Sequence, residues 1–184
     1  IKSFLSKNRK KVLKSDLRLG KSVSPSHEQL AAVNASVQSG VSIITGGPGT
    51  GKTTMIRALV FALKGLKLSI KLCAPTGKAA KRMGEATGLQ KFKPETVHKY
   101  LQSNSQSENN NFNVMIVDEA SMIDISLLHS LLASIPDGAQ LILIGDKDQL
   151  PPVKPGQPFR DLIKSINTEP KNLIENTKSK VGVS

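Results

Sequence analysis

The chain has 184 residues, 38% of them hydrophobic and 22% charged, an ordinary composition for one globular domain with a buried core. No apolar run approaches the roughly 20 residues that a membrane-spanning helix needs, and the basic N-terminal stretch lacks the apolar segment of a secretory signal. We therefore expect no membrane partner and a cytoplasmic location. Cys73 is the single cysteine, which excludes an internal disulfide and fits a reducing compartment.

The net charge of +12 is concentrated near the start of the chain. Residues 1–21 carry eight Lys or Arg against Asp16. We interpret residues 1–22 as a solvated basic arm or linker. A second excess of bases, six against two acids, lies between residues 78 and 99 and is a better candidate for binding a polyanion. Because the chain begins with Ile1 rather than Met, we expect it to be a piece of a longer protein.

Short apolar runs alternate with helical patterns along the middle of the chain. This alternation predicts an α/β fold with a mostly parallel sheet and helices on both faces. The polar stretch at 102–113 is predicted to be a loop with little to bury. The pattern weakens after Asp161, and no structure is predicted for residues 167–184. The predicted strands are 41–45, 67–74, 114–117 and 141–145, and the predicted helices are 52–64, which Gly65 ends, 76–86, and a pattern from Ile125 to Leu132.

The first strand leads into "GGPGTGKTT", which contains the phosphate-loop pattern G-x-x-x-x-G-K-[ST] in Gly46, Gly51, Lys52 and Thr53. Glycines let backbone amides turn toward a phosphate, and the start of the following helix adds its positive dipole end. The Lys52 ammonium is expected on the β and γ phosphates, and the Thr53 hydroxyl on Mg²⁺. The alternative is a glycine-rich turn with an exposed lysine, which the flanking strand and helix disfavour.

The strand at 114–117 ends in Asp118 and Glu119, at the edge where open α/β sheets bind ligands. Asp118 is expected to hold Mg²⁺, mainly through water, and Glu119 to orient and deprotonate an attacking water. Alone, such a pair could equally place negative charge at a helix start. Its combination with the phosphate loop favours catalysis.

A third strand end carries "GDKDQLPPV", with Asp146 and Gln149 just past the apolar run. The Gln149 amide is neutral and has both a donor and an acceptor, so it could contact a γ phosphate or the attacking water. The alternative is a turn in which Asp146 and Asp148 accept hydrogen bonds from local backbone amides.

In order along residues 24–163, these motifs resemble the first motor domain of superfamily 1 helicases, most closely the RecD-like group that includes the alpha subunit of exodeoxyribonuclease V. The series is "SHEQLAAV", "GGPGTGKTT", "APTGKAAKRM", "TVHKYL", "VDEASM" and "GDKDQLPPVKPGQPFRDL". The resemblance implies a RecA-like P-loop NTPase domain over 23–163. Residues 164–184 are then a tail that leads to a second motor domain absent from this sequence.

The resemblance also implies roles for individual residues. It assigns Lys52, Glu119 and Gln149 to catalysis, with Gln149 coupling the γ phosphate to movement. It assigns Thr53 and Asp118 to the metal. It implies that Gln29 contacts the adenine of ATP. The other residues that it implies in ATP binding are Gly46, Gly47, Pro48, Gly49, Thr50, Gly51, Lys52, Thr53 and Thr54. It places the contacts with single-stranded DNA at Pro75, Thr76, Lys78 and His98.

The residues themselves support part of the DNA assignment. Thr76 and Lys78 suit backbone phosphates, whereas an isolated histidine such as His98 is more often structural. Tyr100 and Phe92 could stack on bases, but aromatic residues make up only 3% of the chain, so extensive stacking is not expected.

By resemblance, the expected function is ATP-driven translocation on single-stranded DNA, five-prime to three-prime, in recombination and repair. RecB-like and RecC-like subunits are possible partners. Because the arginine fingers of a second motor domain are missing, the isolated chain should bind nucleotide but hydrolyse it very slowly. Two alternatives stay open: a small-molecule P-loop kinase, and a non-catalytic nucleotide-binding module of a recombination complex.

Overall fold

The computed structural model describes residues 25–88, 92–104 and 111–168. The basic arm predicted at 1–22, and residues 169–184 of the predicted tail, lie outside these ranges. The helices are α1 (His27–Gln38), α2 (Lys52–Gly65), α3 (Gly77–Thr87), α4 (Val97–Asn104), α5 (Ile125–Ser134) and α6 (Pro158–Thr168), with a short 3₁₀ turn at Ala120–Met122. The strands are β1 (Val41–Thr45), β2 (Ile70–Ala74), β3 (Glu95–Thr96), β4 (Val114–Val117) and β5 (Gln140–Gly145).

The five strands form one sheet in the order β1-β5-β4-β2-β3, and every described pair is parallel. β1 pairs with β5 so that Thr45 lies opposite Gly145. β5 pairs in turn with β4, where Leu143 lies opposite Val117. The carboxyl ends of β1, β5 and β4 therefore lie side by side at one edge of the sheet.

Both faces of this sheet are covered, as the alternation along β4 illustrates. Val114 and Ile116 belong to a core that includes buried residues of α1, α2 and α3. Met115 and Val117 point to the other core, which includes buried residues of α4, α5 and α6. The predicted α/β class, with a parallel sheet and helices on both faces, is confirmed.

Helix α1, which the sequence pattern did not predict, is fixed at both ends. Ser26 caps its start in a capping box with Gln29, whose side chain accepts a hydrogen bond from the Ser26 amide. At the other end, the fully buried Gln140 amide donates to the carbonyl oxygens of Ser36 and Ser39. Gln140 is the first residue of β5, so these bonds tie α1 to the sheet.

The start of β2 differs from its predicted boundary. β2 begins at Ile70 rather than at residue 67, because the chain leaves α2 through a left-handed turn at Lys67, where φ is 58°. Gly65 ends α2 as expected, yet it is Lys67 that adopts the positive φ.

The two ends of the polar stretch at 102–113 differ from the predicted loop, and residues 105–110 lie outside the described ranges. α4 runs to Asn104, and Phe112, which is 7% exposed, packs against the Tyr100 ring in an edge-to-face contact. After Asp161, where the pattern weakens, the helix α6 continues to Thr168 and so includes the start of the segment at 167–184 for which no structure was predicted. The domain boundary placed at residue 163 lies inside this helix.

Within the described ranges, none of the helices combines the length and apolar character needed to cross a bilayer.

Candidate nucleotide site

The loops that follow β1, β4 and β5 enclose one cavity of about 440 Å³. This volume lies within the range of about 300–1,000 Å³ that is typical of ligand pockets. The predicted site residues that line it are Gly47, Pro48, Gly49, Gly51, Lys52, Thr53, Asp118, Glu119 and Gln149. Gln29, Gly46, Thr50 and Thr54 do not line it, although the last three flank or belong to the same loop.

The phosphate loop is held in shape by its own side chains. Lys52 Nζ donates to the carbonyl oxygens of Gly46 and Gly47, at 2.6 and 3.2 Å, and the Thr50 hydroxyl donates to Gly47 O at 2.8 Å. Gly51 adopts a left-handed conformation with φ of 78°, and no side chain caps the start of α2. The first amides of α2 are thus left for an external acceptor, which an anion supplies best.

Gln29 touches this loop from α1. Its side-chain amide donates to the carbonyl oxygens of Thr50 and Gly51, at 3.1 and 3.4 Å. A Cβ at Gly51 would lie 2.5 Å from Gln29 Nε2, so the contact depends on the glycine. These bonds place Gln29 at the loop backbone, and its predicted adenine contact remains a prediction.

The acidic pair sits on a strained turn. Glu119 adopts a left-handed backbone with φ of 54°, uncommon for a residue with a side chain, and its amide donates to Asp118 Oδ1 at 2.9 Å. Burial raises the pKa of the Asp118 carboxyl, and the Glu119 charge adds to that rise. The Glu119 amide and the charges of Lys52 and Arg82 act in the opposite direction.

Ser121 orients the Gln149 side chain beside the acidic pair. The Ser121 hydroxyl donates to Gln149 Oε1 at 2.6 Å, which leaves the Gln149 amide nitrogen facing Glu119 Oε2 across a long contact of 3.5 Å. Ser121 can lie this close to the end of β5 because residue 145 is a glycine: a Cβ at Gly145 would lie 2.9 Å from the Ser121 backbone nitrogen. Sequence reasoning missed Ser121, since its contact spans two strand ends.

The turn alternative for "GDKDQLPPV" is also realised in part. Asp146 Oδ1 accepts a hydrogen bond from the Asp148 amide at 3.0 Å. Arg160 secures the same loop from α6, because its Nε and Nη2 both donate to Lys147 O, at 3.1 and 2.9 Å. The loop that carries Gln149 is therefore held by neighbours on both sides.

The two segments predicted to contact DNA come together at the same edge of the sheet. Ala74 of β2 lies opposite Thr96 of β3, so Pro75 and Thr76 follow one strand while His98 shortly follows the other. Lys78 and His98 are exposed. The Thr76 hydroxyl oxygen accepts from the Ala79 amide at 3.2 Å and caps α3.

The suggestion that Tyr100 stacks on bases is wrong. Its ring is fully buried, and its hydroxyl donates to Ser134 O at 2.9 Å. Phe92 is partly buried against the core beneath Lys64, whose Nζ lies 5.3 Å from the ring centroid.

A glycine-rich loop at a helix start, with carboxylates at the end of another strand on the same edge of the parallel sheet, defines a P-loop nucleotide-binding domain. A family model described as an AAA domain matches residues 24–180, and the chain belongs to that family.

Relatives refine this assignment. The chain is 42% identical over 149 residues to the ATP-dependent RecD2 DNA helicase of Deinococcus radiodurans, an alignment that covers 78% of this chain and 20% of that protein. It is 34% identical over 179 residues to the RecBCD enzyme subunit RecD of Mycobacterium tuberculosis, covering 83% and 31%. The resemblance to RecD-like helicases is confirmed.

A solved structure agrees with the fold. The crystal structure of the Pif1 helicase from Candida albicans matches with a TM-score of 0.55 and 30% identity, covering 72% of this chain and 34% of that one. The chain thus spans between a fifth and about a third of the length of each of these three proteins.

The raised pKa of Asp118 predicts a pH-dependent stability difference. At about pH 7, without nucleotide or divalent ions, the buried Asp118 charge destabilises the fold, so Asp118→Asn should raise the free energy of unfolding. The gain should shrink as the pH falls through the raised pKa, because the wild-type carboxyl then becomes neutral too. Urea unfolding in EDTA at several pH values measures this difference in the free energy of unfolding between the variant and wild type.

Asp137→Asn, at an exposed carboxylate, is the matched control and should change the free energy of unfolding little across the series. An Asp118→Asn variant that is less stable than wild type at neutral pH would contradict this account.

Proposed function

We propose that this chain is the first motor domain of a DNA helicase, which binds and hydrolyses ATP and moves on single-stranded DNA. One observation carries the proposal: the phosphate loop, the acidic pair and Gln149 come from three separate parts of the chain and line one cavity. The names of the relatives and of the structural neighbour support the same activity.

ATP is the ligand that fits the loop best. Free amides at the start of α2 suit the phosphates, and Lys52 can exchange its bonds to Gly46 and Gly47 for phosphate oxygens. The donor set also fits Mg²⁺, because the Thr53 hydroxyl and the Asp118 carboxylate are oxygen ligands that line the same cavity. When bound there, the ion neutralises charge that develops on the phosphates.

Glu119 is proposed as the general base that accepts a proton from the attacking water. Its carboxylate lies beside the Gln149 amide, whose orientation is set by Ser121. A neutral amide in this position can hold the water and sense the γ phosphate at once. This arrangement gives Gln149 its proposed coupling role.

DNA is proposed to lie along the edge formed by Pro75, Thr76, Lys78 and His98, where exposed polar groups suit backbone phosphates. The five-prime to three-prime direction follows the family resemblance. A second RecA-like domain of the same protein is proposed to complete the ATP site with arginines. RecB-like and RecC-like subunits are proposed partners, by analogy with the RecBCD subunits.

The base role of Glu119 is tested by Glu119→Gln in the complete protein that carries this domain. ATP hydrolysis with single-stranded DNA should fall by about 100-fold or more, because an amide cannot accept the proton. Nucleotide affinity, measured by fluorescence with a labelled analogue, should change less than about threefold. Glu85→Gln, at an exposed glutamate of α3, should keep wild-type turnover.

Unchanged hydrolysis in Glu119→Gln would refute the base assignment. Wild-type turnover that responds to a small-molecule acceptor and not to DNA would favour the kinase alternative. A complete protein that binds ATP without any turnover would favour the non-catalytic module.

The hydrogen bond from Ser121 to Gln149 predicts a second, smaller effect. Ser121→Ala should lower turnover about fivefold, the size expected for one hydrogen bond of about 1 kcal/mol, with nucleotide affinity unchanged. If Ser121 acts through Gln149, the same substitution should have no further effect in a Gln149→Ala background. Additive losses in the double variant would show that Ser121 acts in another way.

A further inference from the structure

Helix α3 connects the two functional edges of the domain. It begins at the Thr76 cap, within the segment proposed for DNA. Farther along, Ala79, Arg82 and Met83 line the nucleotide cavity. Spacings of three and four residues put these side chains on one helical face. Between Thr76 and Arg82 the helix rises only about 9 Å, so one short rigid element reaches both sites.

The charge balance of the cavity gives Arg82 particular weight. Three acids line it, Asp118, Glu119 and Asp146, against the two bases Lys52 and Arg82. The lining is therefore net negative before any nucleotide enters. A triphosphate brings further negative charge, so each lining cation has a large share in making binding favourable.

Arg82 is also available for a ligand. Lys52 is bonded to loop carbonyls, and Arg160 is committed to Lys147. By contrast, Arg82 makes no hydrogen bond or ion pair with any residue in the described part of the chain. Its guanidinium is permanently charged and presents a planar fork of donors that matches two phosphate oxygens.

We propose that Arg82 binds the phosphates of ATP at the Asp118 side of the cavity, as a cation supplied by this domain itself. This inference rests on the proposed function. It makes α3 a direct link, because movement of the Thr76 end on DNA also moves a nucleotide ligand. By linkage, nucleotide binding then changes the affinity for DNA by the same factor that DNA changes the affinity for nucleotide.

The test compares Arg82→Ala, Arg82→Lys and the control Lys81→Ala in the complete protein. Lys81 is exposed on the same helix but does not line the cavity. Affinities for AMP and for a non-hydrolysable ATP analogue, both with Mg²⁺, are measured by calorimetry. Arg82→Ala should lower the affinity for the ATP analogue about 10- to 100-fold and the affinity for AMP much less, because AMP lacks the β and γ phosphates.

Arg82→Lys should give an intermediate loss, since an ammonium keeps the charge but not the fork. Lys81→Ala is the control for nucleotide binding alone and should bind the ATP analogue like wild type, because Lys81 does not line the cavity. Its oligonucleotide affinity is not used as a reference, since Lys81 belongs to the basic excess at 78–99. The same calorimetry with a single-stranded oligonucleotide present should show a smaller DNA-induced change in nucleotide affinity for Arg82→Ala than for wild type.

Three results would overturn the inference. Arg82→Ala could bind the ATP analogue within twofold of wild type, or lose AMP and ATP-analogue affinity equally through damage to the whole pocket. It could also weaken only oligonucleotide binding, which would assign Arg82 to the DNA surface. If wild type itself binds no nucleotide, the proposed function fails and the inference fails with it, a result distinct from a selective failure at Arg82.

Discussion

The parallel register of β1, β5 and β4 is the constraint on which the whole site depends. Thr45 lies opposite Gly145, and Leu143 lies opposite Val117, so three loops far apart in sequence start from neighbouring points. Buried apolar side chains on both faces stabilise that register, because a slip by one residue would exchange the two faces. The cavity is a consequence of sheet packing rather than of any single loop.

The acidic side chains of the cavity lie in an electrostatically unfavourable environment. Burial and the nearby Glu119 raise the pKa of Asp118, and the cavity lining has more acids than bases. In the proposed function, a divalent cation would relieve that repulsion and would in turn favour binding of the phosphates. Binding of metal and nucleotide is thus expected to be mutually supportive. The left-handed backbone of Glu119 is a further local cost retained at the same place.

The sequence was sufficient for the features that depend on local pattern. Continuous apolar runs located β1, β4 and β5, and the loop motif located the start of α2, because each signal lies within a few adjacent residues. α1 was missed since its only fully buried apolar side chains are Val33 and Val37, too few to mark a helical face. Tyr100 was misjudged because burial depends on its distant partners Phe112 and Ser134. Ser121 was likewise missed, since its partner Gln149 belongs to another loop. Arg82 was counted only within the basic excess at 78–99, since its place in the cavity depends on residues of other elements.

The most direct measurement of the central claim is a crystal structure of the complete protein with Mg²⁺ and a non-hydrolysable ATP analogue. The account predicts phosphates on the amides between Gly47 and Lys52, with the metal bound to the Thr53 hydroxyl and held by Asp118 directly or through water. A nucleotide seated away from this cavity, or a metal ion in contact with neither residue, would contradict it.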